Sequence, residues 1–346
     1  MILFQCDYNE GAHEKILERL IQTNMEQTDG YGMDPYCASA ARKIKERCQV
    51  PEADVHFLVG GTQTNVTVIS AILKPWQGVI SASSGHIHVH ETGAVEACGH
   101  KVLAIPSEDG KITGAQVEAL YQGHIHDESA EHTVQPGMVY ISNPTELGTI
   151  YSLAELTDLS QACRRNGLIL FMDGARLGYG LTAKGNDLTF ESIAKLCDVF
   201  YIGGTKVGAL FGEAVVITNP SIQKDFRYMI KQKGGMLAKG RLLGIQFDTL
   251  FTDDLYLTIA AQANCLADHL REAFAEAGYP FLIETTTNQI FVIMPDDQLA
   301  ELKKNYGFCY QQRMDETHSA VRFCTSWATK SENVTKLIED VCNLKA

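Results

Sequence analysis

The sequence predicts an α/β fold: a doubly wound, mostly parallel sheet, with a small α+β domain behind it at the C-terminus. Three observations carry that reading. Up to about residue 250, short apolar runs alternate with amphipathic stretches, the strand–helix–strand rhythm of parallel βαβ units. Runs such as Leu168-Ile169-Leu170-Phe171-Met172 show no polar alternation, as expected of strands covered on both faces. Past that point the rhythm changes to one long helix, separate strands and a last helix. The 346 residues are too many for one mini-domain. They divide into an N-terminal segment, 1–50, a large domain, 51–250, and a small domain, 251–346.

The N-terminal segment carries Asp29-Gly30-Tyr31-Gly32-Met33-Asp34-Pro35, a loop with no evident core role. Val55–Val59 reads as a strand and Thr62–Leu73 as the helix after it. Strands follow at Val79–Ala82, Lys101–Ile105, Met138–Ser142, Leu168–Met172 and Val199–Ile202. Helical patterns lie between them at Thr113–Tyr121, Leu153–Asn166 and Phe190–Cys197. Asp253–Ala277 reads as a long helix stopped by Gly278 and Pro280, since glycine accepts the left-handed cap and proline cannot continue the helix. Strands at Gln289–Met294, Phe308–Gln311 and Val321–Thr325 precede a final helix, Glu332–Leu344. Ser331 is its expected N-cap, and Glu332 suits the positive end of the helix dipole.

Composition narrows the partners. The chain carries 42 Asp+Glu against 29 Lys+Arg, a formal charge of -13, which disfavours nucleic acid or an anionic membrane. With 45% apolar and 21% charged residues it reads as a globular chain, not a disordered one. No apolar run approaches the ~18 residues of a membrane span. The start, Met1-Ile2-Leu3-Phe4, soon meets Asp7 and Glu10, which does not read as a signal peptide. Ten cysteines without a C-x-x-C pair suggest reduced thiols in a cytoplasmic protein.

In an open α/β sheet, ligands gather beyond the C-terminal strand ends. Gly60-Gly61-Thr62-Gln63-Thr64-Asn65 follows the first strand and opens a helix, where bare N–H groups suit a phosphate; such a turn is also a common strand–helix link. There is no G-x-x-x-x-G-K followed by Ser or Thr, and no G-x-G-x-x-G, so neither common nucleotide loop is present. Gly85 and His86 follow the second strand, Asn143-Pro144-Thr145 the fourth, Asp173-Gly174-Ala175-Arg176 the fifth and Gly203-Gly204-Thr205-Lys206 the sixth. A carboxylate ending a buried strand needs a cationic partner, so Asp173 either pairs structurally with Arg176 or keeps a heterocyclic nitrogen protonated. Lys206, screened by apolar neighbours, can have its pKa lowered enough to form a Schiff base. Phosphate cup, imidazole, carboxylate and lysine in this chain order are what pyridoxal 5′-phosphate requires.

With these motifs in view, the chain from about Asp7 onward resembles the threonine aldolases and related β-eliminating lyases. These are pyridoxal-phosphate enzymes of the aspartate-aminotransferase-like fold type I. The most specific match is Phe171-Met172-Asp173-Gly174-Ala175-Arg176-Leu177. It is supported by Tyr31-Gly32-Met33-Asp34-Pro35, Gly61-Thr62-Gln63-Thr64-Asn65, Gly85-His86 with Glu91, and Gly204-Thr205-Lys206. The resemblance implies that Lys206 holds the cofactor covalently, Asp173 pairs with its ring nitrogen and His86 stacks on the ring. It implies that Gly60, Gly61 and Thr62 cradle the phosphate, and that Arg176 contacts the O3′ side or the substrate carboxylate. Arg322, in Val321-Arg322-Phe323-Cys324-Thr325, is implied to bind that carboxylate through its bidentate fork. His132, eleven residues before Asn143, matches a second active-site histidine of some relatives. Cys6 and Tyr31 are the remaining substrate-side candidates. Homodimers or homotetramers with shared sites are implied, with Tyr31 and Lys239 the places to look for a partner's contribution.

The departures lie beside the substrate. Where the family usually shows Arg-Ser-Asp-Thr this chain has Gln5-Cys6-Asp7-Tyr8, and where it commonly shows Glu-Asn-Thr there is Ser142-Asn143-Pro144. The expected reaction is cleavage of a β-hydroxy-α-amino acid, threonine or allo-threonine, to glycine and an aldehyde, with His86 or His132 taking the hydroxyl proton. Alternatives are β-elimination, racemisation or transamination in the same site. A metal-dependent hydrolase using His86, His88 and His90, which share one face if extended, leaves Lys206 and Asp173 unexplained. A non-catalytic fold-mate, kept open by Gln5 and Tyr8, is the remaining class.

Overall fold

The computed structural model describes residues 1–344; Lys345 and Ala346, at the end of the expected small domain, lie outside the described residues. A short first strand, β1 (Ile2–Leu3), pairs far along the chain with Tyr306–Gly307. The central sheet consists of β2 (Asp54–Leu58), β3 (Gln77–Ala82), β4 (Val102–Ile105), β5 (Gln135–Ser142), β6 (Ile169–Asp173), β7 (Val199–Gly203) and β8 (Glu213–Ile217). Their spatial order is β2-β8-β7-β6-β5-β3-β4. From β4 to β7 every pairing is parallel. β8 runs antiparallel to both β7 and β2, so β2 points the same way as the parallel strands although it touches none of them. The C-terminal ends of β2, β3, β5, β6 and β7 therefore share one edge with the first residue of β8. Register fixes the details: Ser142 sits opposite Asp173, and Gly203 opposite Glu213.

The unbroken apolar strands are double-sided. Ile80, Val139, Leu170, Met172, Phe200 and Val216 pack into one core, while Val79, Met138, Phe171, Val199 and Val215 pack into another. Neighbours in sequence thus face opposite helical layers, as the period of two along a strand requires. A third core surrounds Phe4, Phe274, Ile290 and Phe323. It lies under an antiparallel sheet of β9 (Phe281–Ile283), β10 (Gln289–Pro295), β12 (Cys309–Arg313) and β13 (His318–Cys324), in the order β12-β13-β10-β9; Tyr306–Gly307 is β11. The helix Leu255–Glu276 joins the two regions, because its first half packs into the sheet core and its second half into the third core.

The strands read from the sequence are all present, with ends shifted by up to three residues, as at the starts of β5 and β13, and β1, β8, β9 and β11 are additional. β8 returns directly after the glycine-rich turn that carries Lys206, so the sheet continues where the sequence pattern suggested its end. The long helix starts after Asp253 and Asp254, which are both left-handed (φ 52° and 56°). The expected Ser331 N-cap is not formed: Ser331 is already helical, and Lys330 precedes it without a side-chain cap.

Two glycines allow the strand ends to close on one another. A Cβ on Gly174 would fall 1.9 Å from the Tyr201 carbonyl oxygen, and one on Gly203 would fall 2.2 Å from that of Ala175. Backbone occupies both spaces, so neither contact yields by a rotamer change. Gly174→Ala is therefore expected to lower stability by about 1–3 kcal/mol, as overpacking does, read as a lower denaturant midpoint with unchanged slope.

Candidate active site

A cavity of about 290 Å³ opens at the shared strand edge. At one wall the helix Gly61–Ile72 begins from Gly60, whose backbone is extended and which offers no side-chain cap. Its first-turn N–H groups and the positive end of the helix dipole are thus available to an anion. A Cβ on Gly61 would lie 3.1 Å from the Tyr201 hydroxyl, so the wall is closely fitted.

Asp173 ends β6 and is 4% exposed. Its Oδ2 accepts from the Tyr140 hydroxyl at 2.5 Å and from Asn65 Nδ2 at 3.3 Å, and its Oδ1 accepts from the Ala175 N–H at 2.9 Å. Burial pushes this carboxyl up, but His86 and the donors Tyr140, Tyr201 and Ala175 outweigh it and hold the pKa below the ordinary value. Asn65 also donates to Glu91 Oε1 at 2.8 Å, and that oxygen meets His86 Nδ1 at 2.8 Å. Burial pulls the His86 pKa down, yet the Glu91 hydrogen bond and the charge of Asp173 leave it raised.

Lys206 reaches the cavity from the turn between β7 and β8, its Nζ 6.0 Å from the centre of the Tyr8 ring. Burial, then the Arg176 charge, lowers its pKa, against the pull of Asp7, Asp173 and Glu213. Glu213, the first residue of β8, accepts from the Gly204 N–H at 3.2 Å and the Thr205 hydroxyl at 2.9 Å. Burial raises its pKa despite Lys206 nearby. Glu146 lines the cavity from the β5 side. Its Oε1 accepts from the His86 N–H at 3.0 Å and the Ser142 hydroxyl at 2.6 Å.

An uncapped helix start, an ionised buried carboxylate with Oδ1 capacity to spare and an amine of lowered pKa around one cavity match the phosphate, ring nitrogen and aldehyde of pyridoxal 5′-phosphate. The family model described as β-eliminating lyase matches residues 7–297. The chain belongs to that family. It is 29% identical over 343 residues to the low specificity L-threonine aldolase of Pseudomonas aeruginosa, covering 98% of this chain and 96% of that one. It is 30% identical over 346 residues to that of a Pseudomonas sp. strain, with the same coverage. The solved structure of Leishmania major threonine aldolase superposes with a TM-score of 0.97 at 43% identity over 100% of both chains. An aspartate aminotransferase of Thermus thermophilus, at TM-score 0.72 and 14% identity over 99% of this chain and 91% of its own, shares the fold type I architecture.

In this β-eliminating lyase family member the cavity gathers Gly60, Gly61, Thr62, His86, Asp173, Arg176 and Lys206, all read from the sequence. Others are placed elsewhere. His132 is exposed in a turn just before β5, and the cavity lies at that strand's other end. At about 3.3 Å per residue the strand separates them. Cys6 does not line the cavity; its thiol turns to Asn9 Oδ1 at 3.0 Å, and Tyr8 enters instead. Tyr31, left-handed and 48% exposed, borders a different cavity beside Arg227. Lys239 borders a further one beside Asp29. Arg176 does not pair with Asp173: its Nε and Nη2 both bind Asp7, at 2.7 and 3.0 Å. Arg322 lies outside the cavity lining, held by Gln289 Oε1 and the Gln5 carbonyl, and no carboxylate pairs with it among the described residues. His86–Val89 forms a helical turn, so His88 does not share the face on which His86 and His90 meet, their rings 5.6 Å apart. The alternating-face premise of the metal reading fails there.

Glu146, Glu213, Asn65, Tyr140 and Tyr201 were not anticipated as site residues. The departure at Ser142 gave one usable signal. Its hydroxyl donates to the carboxylate of Glu146, four residues on, at 2.6 Å.

The Asp7–Arg176 pair is fully buried on the acid side. Burial alone would raise Asp7, but Arg176, Lys206 and the Asn288 amide bring its pKa from 3.8 to about 2. A depressed carboxyl contributes stability above its unfolded value and loses it as pH falls through its folded value. Asp7→Asn, which strands a buried guanidinium, is expected to cost about 3–5 kcal/mol at neutral pH. In denaturant titrations, the gap between wild type and variant should narrow as pH falls from 3.8 to about 2.

Proposed function

We propose that the protein uses pyridoxal 5′-phosphate to cleave a β-hydroxy-α-amino acid, threonine or allo-threonine, into glycine and an aldehyde. One observation carries the reading. The amine of Lys206, its pKa lowered, shares a cavity with the ionised Asp173 carboxylate and an uncapped helix start, in a chain similar end to end to a threonine aldolase.

Lys206 would hold the cofactor covalently, Asp173 its ring nitrogen, Gly60, Gly61 and Thr62 its phosphate, and His86 one face of its ring. When bound, the cofactor supplies an electron sink for a carbanion at the substrate Cα. The protein's part is positioning and charge. Asp173, fixed by Tyr140, Tyr201, Asn65 and the Ala175 N–H, keeps a negative charge where a protonated ring nitrogen needs one. Lys206, with a lowered proton affinity, offers a neutral amine more readily than an exposed lysine. Arg176 is neutralised by Asp7, whereas Arg322 is held by neutral acceptors. The substrate carboxylate therefore falls to Arg322, which orients the Cα–Cβ bond.

Ten free cysteines support a reducing compartment such as the cytoplasm. No helix among the described residues is long and apolar enough to cross a membrane. Exposed Tyr31, Met33 and Tyr228 support contact with a second copy in a homodimer or homotetramer.

Lys206→Ala is expected to reduce glycine and acetaldehyde release from threonine to background and to abolish borohydride-stable cofactor attachment. Asp173→Ala should lose about 10²–10³ in rate, the scale of one preorganised electrostatic partner. Release of ammonia or a keto acid, with no glycine or acetaldehyde, would move the reading to β-elimination or transamination.

A further inference from the structure

As the Cα–Cβ bond breaks, the substrate's β-hydroxyl must surrender its proton, and the groups placed so far do not accept it. His86 has Nδ1 bonded to Glu91 at 2.8 Å and is the ring assigned above to one face of the cofactor. His132 lies at the far edge of the sheet. Asp173 is committed to the ring nitrogen, and both Glu213 oxygens already accept hydrogen bonds.

We propose that Glu146 is the catalytic base for the β-hydroxyl, and through it the residue that selects substrates carrying oxygen at Cβ. This rests on the reaction proposed above. Glu146 lines the same cavity as Lys206 and His86. Its carboxylate is clamped through Oε1, which accepts from the His86 N–H and the Ser142 hydroxyl. Its Oε2 is buried and receives no hydrogen bond among the described residues; a buried acceptor is unfavourable without a donor, and a substrate hydroxyl supplies one. Burial, reinforced by the Asp173 charge, raises the proton affinity of Glu146 above that of an ordinary glutamate, against the Ser142 hydrogen bond. A base so tuned works closer to neutral pH. In the step, the β-hydroxyl hydrogen passes to Oε2 and the O–H pair becomes the second bond of the aldehyde carbonyl. The Cα–Cβ pair remains on Cα, which takes up a proton to become glycine. One proton moves overall from oxygen to carbon, so no oxidant or further co-reactant enters.

The test uses full-length enzyme loaded with pyridoxal phosphate, with threonine and glycine as probes. Glu146→Gln should lower kcat for threonine by about 10²–10⁴, the usual worth of a general base, and exchange of the glycine α-hydrogen with deuterated water by at least ~10-fold less, since glycine has no β-hydroxyl. The acid limb of the kcat/KM profile should vanish, while cofactor affinity and absorption spectrum stay those of wild type. If the Gln variant does not fold or load, Glu146→Asp decides: a shifted acid limb supports the assignment and an unshifted one overturns it. Wild-type cleavage by Glu146→Gln, or equal loss of cleavage and exchange, also overturns it. A wild-type enzyme that binds the cofactor but never cleaves threonine overturns the reaction itself.

Discussion

Burial of charge at one edge of the sheet is the constraint on which this structure depends. Asp7, Asp173, Glu91 and Glu213 are almost wholly withdrawn from water, and each would be costly alone. None is alone. Asp7 holds Arg176, Asp173 is surrounded by hydroxyl and amide donors, Glu91 holds His86, and Glu213 caps the turn of Lys206. Their partners come from different strand ends, so the network exists only when the strands are in register. In such a set, removing one member leaves another exposed to the full desolvation penalty. Precision at the cavity and cooperativity of the fold thus have one origin.

The same logic reaches beyond the sheet. Asp7 accepts from Arg176, three residues past β6, and from Asn288, just ahead of β10. One carboxylate therefore ties the N-terminal segment, the central sheet and the C-terminal sheet together. β1 on β11 adds a backbone tie between the same ends of the chain. Arg322 is part of this seam, since its guanidinium reaches the Gln5 carbonyl.

Much of this was legible in the sequence, for identifiable reasons. Strands buried on both faces announce themselves by unbroken apolar runs, and residues just after them must lie at the strand ends. Gly60, His86, Asp173 and Lys206 were found that way. What escaped depended on contacts distant along the chain. Asp7 and Arg176 lie 169 positions apart, and no local pattern distinguishes their pairing from an Asp173–Arg176 pair. Glu213 was hidden because β8 runs against its neighbours and delivers its first residue, not its last, to the functional edge. His132 misled because spacing to Asn143 says nothing about which end of β5 a loop occupies.

The hairpin formed by β7 and β8 has a further consequence. Lys206 rides on a short link whose two stems are both zipped into the middle of a seven-stranded sheet, so it has almost no freedom to wander. The turns after β3 and β5, which carry His86 and Glu146, are anchored at the sheet on only one side. Divergence toward new substrates should accordingly accumulate in those outer turns, while the amine stays fixed as the pivot of the scaffold.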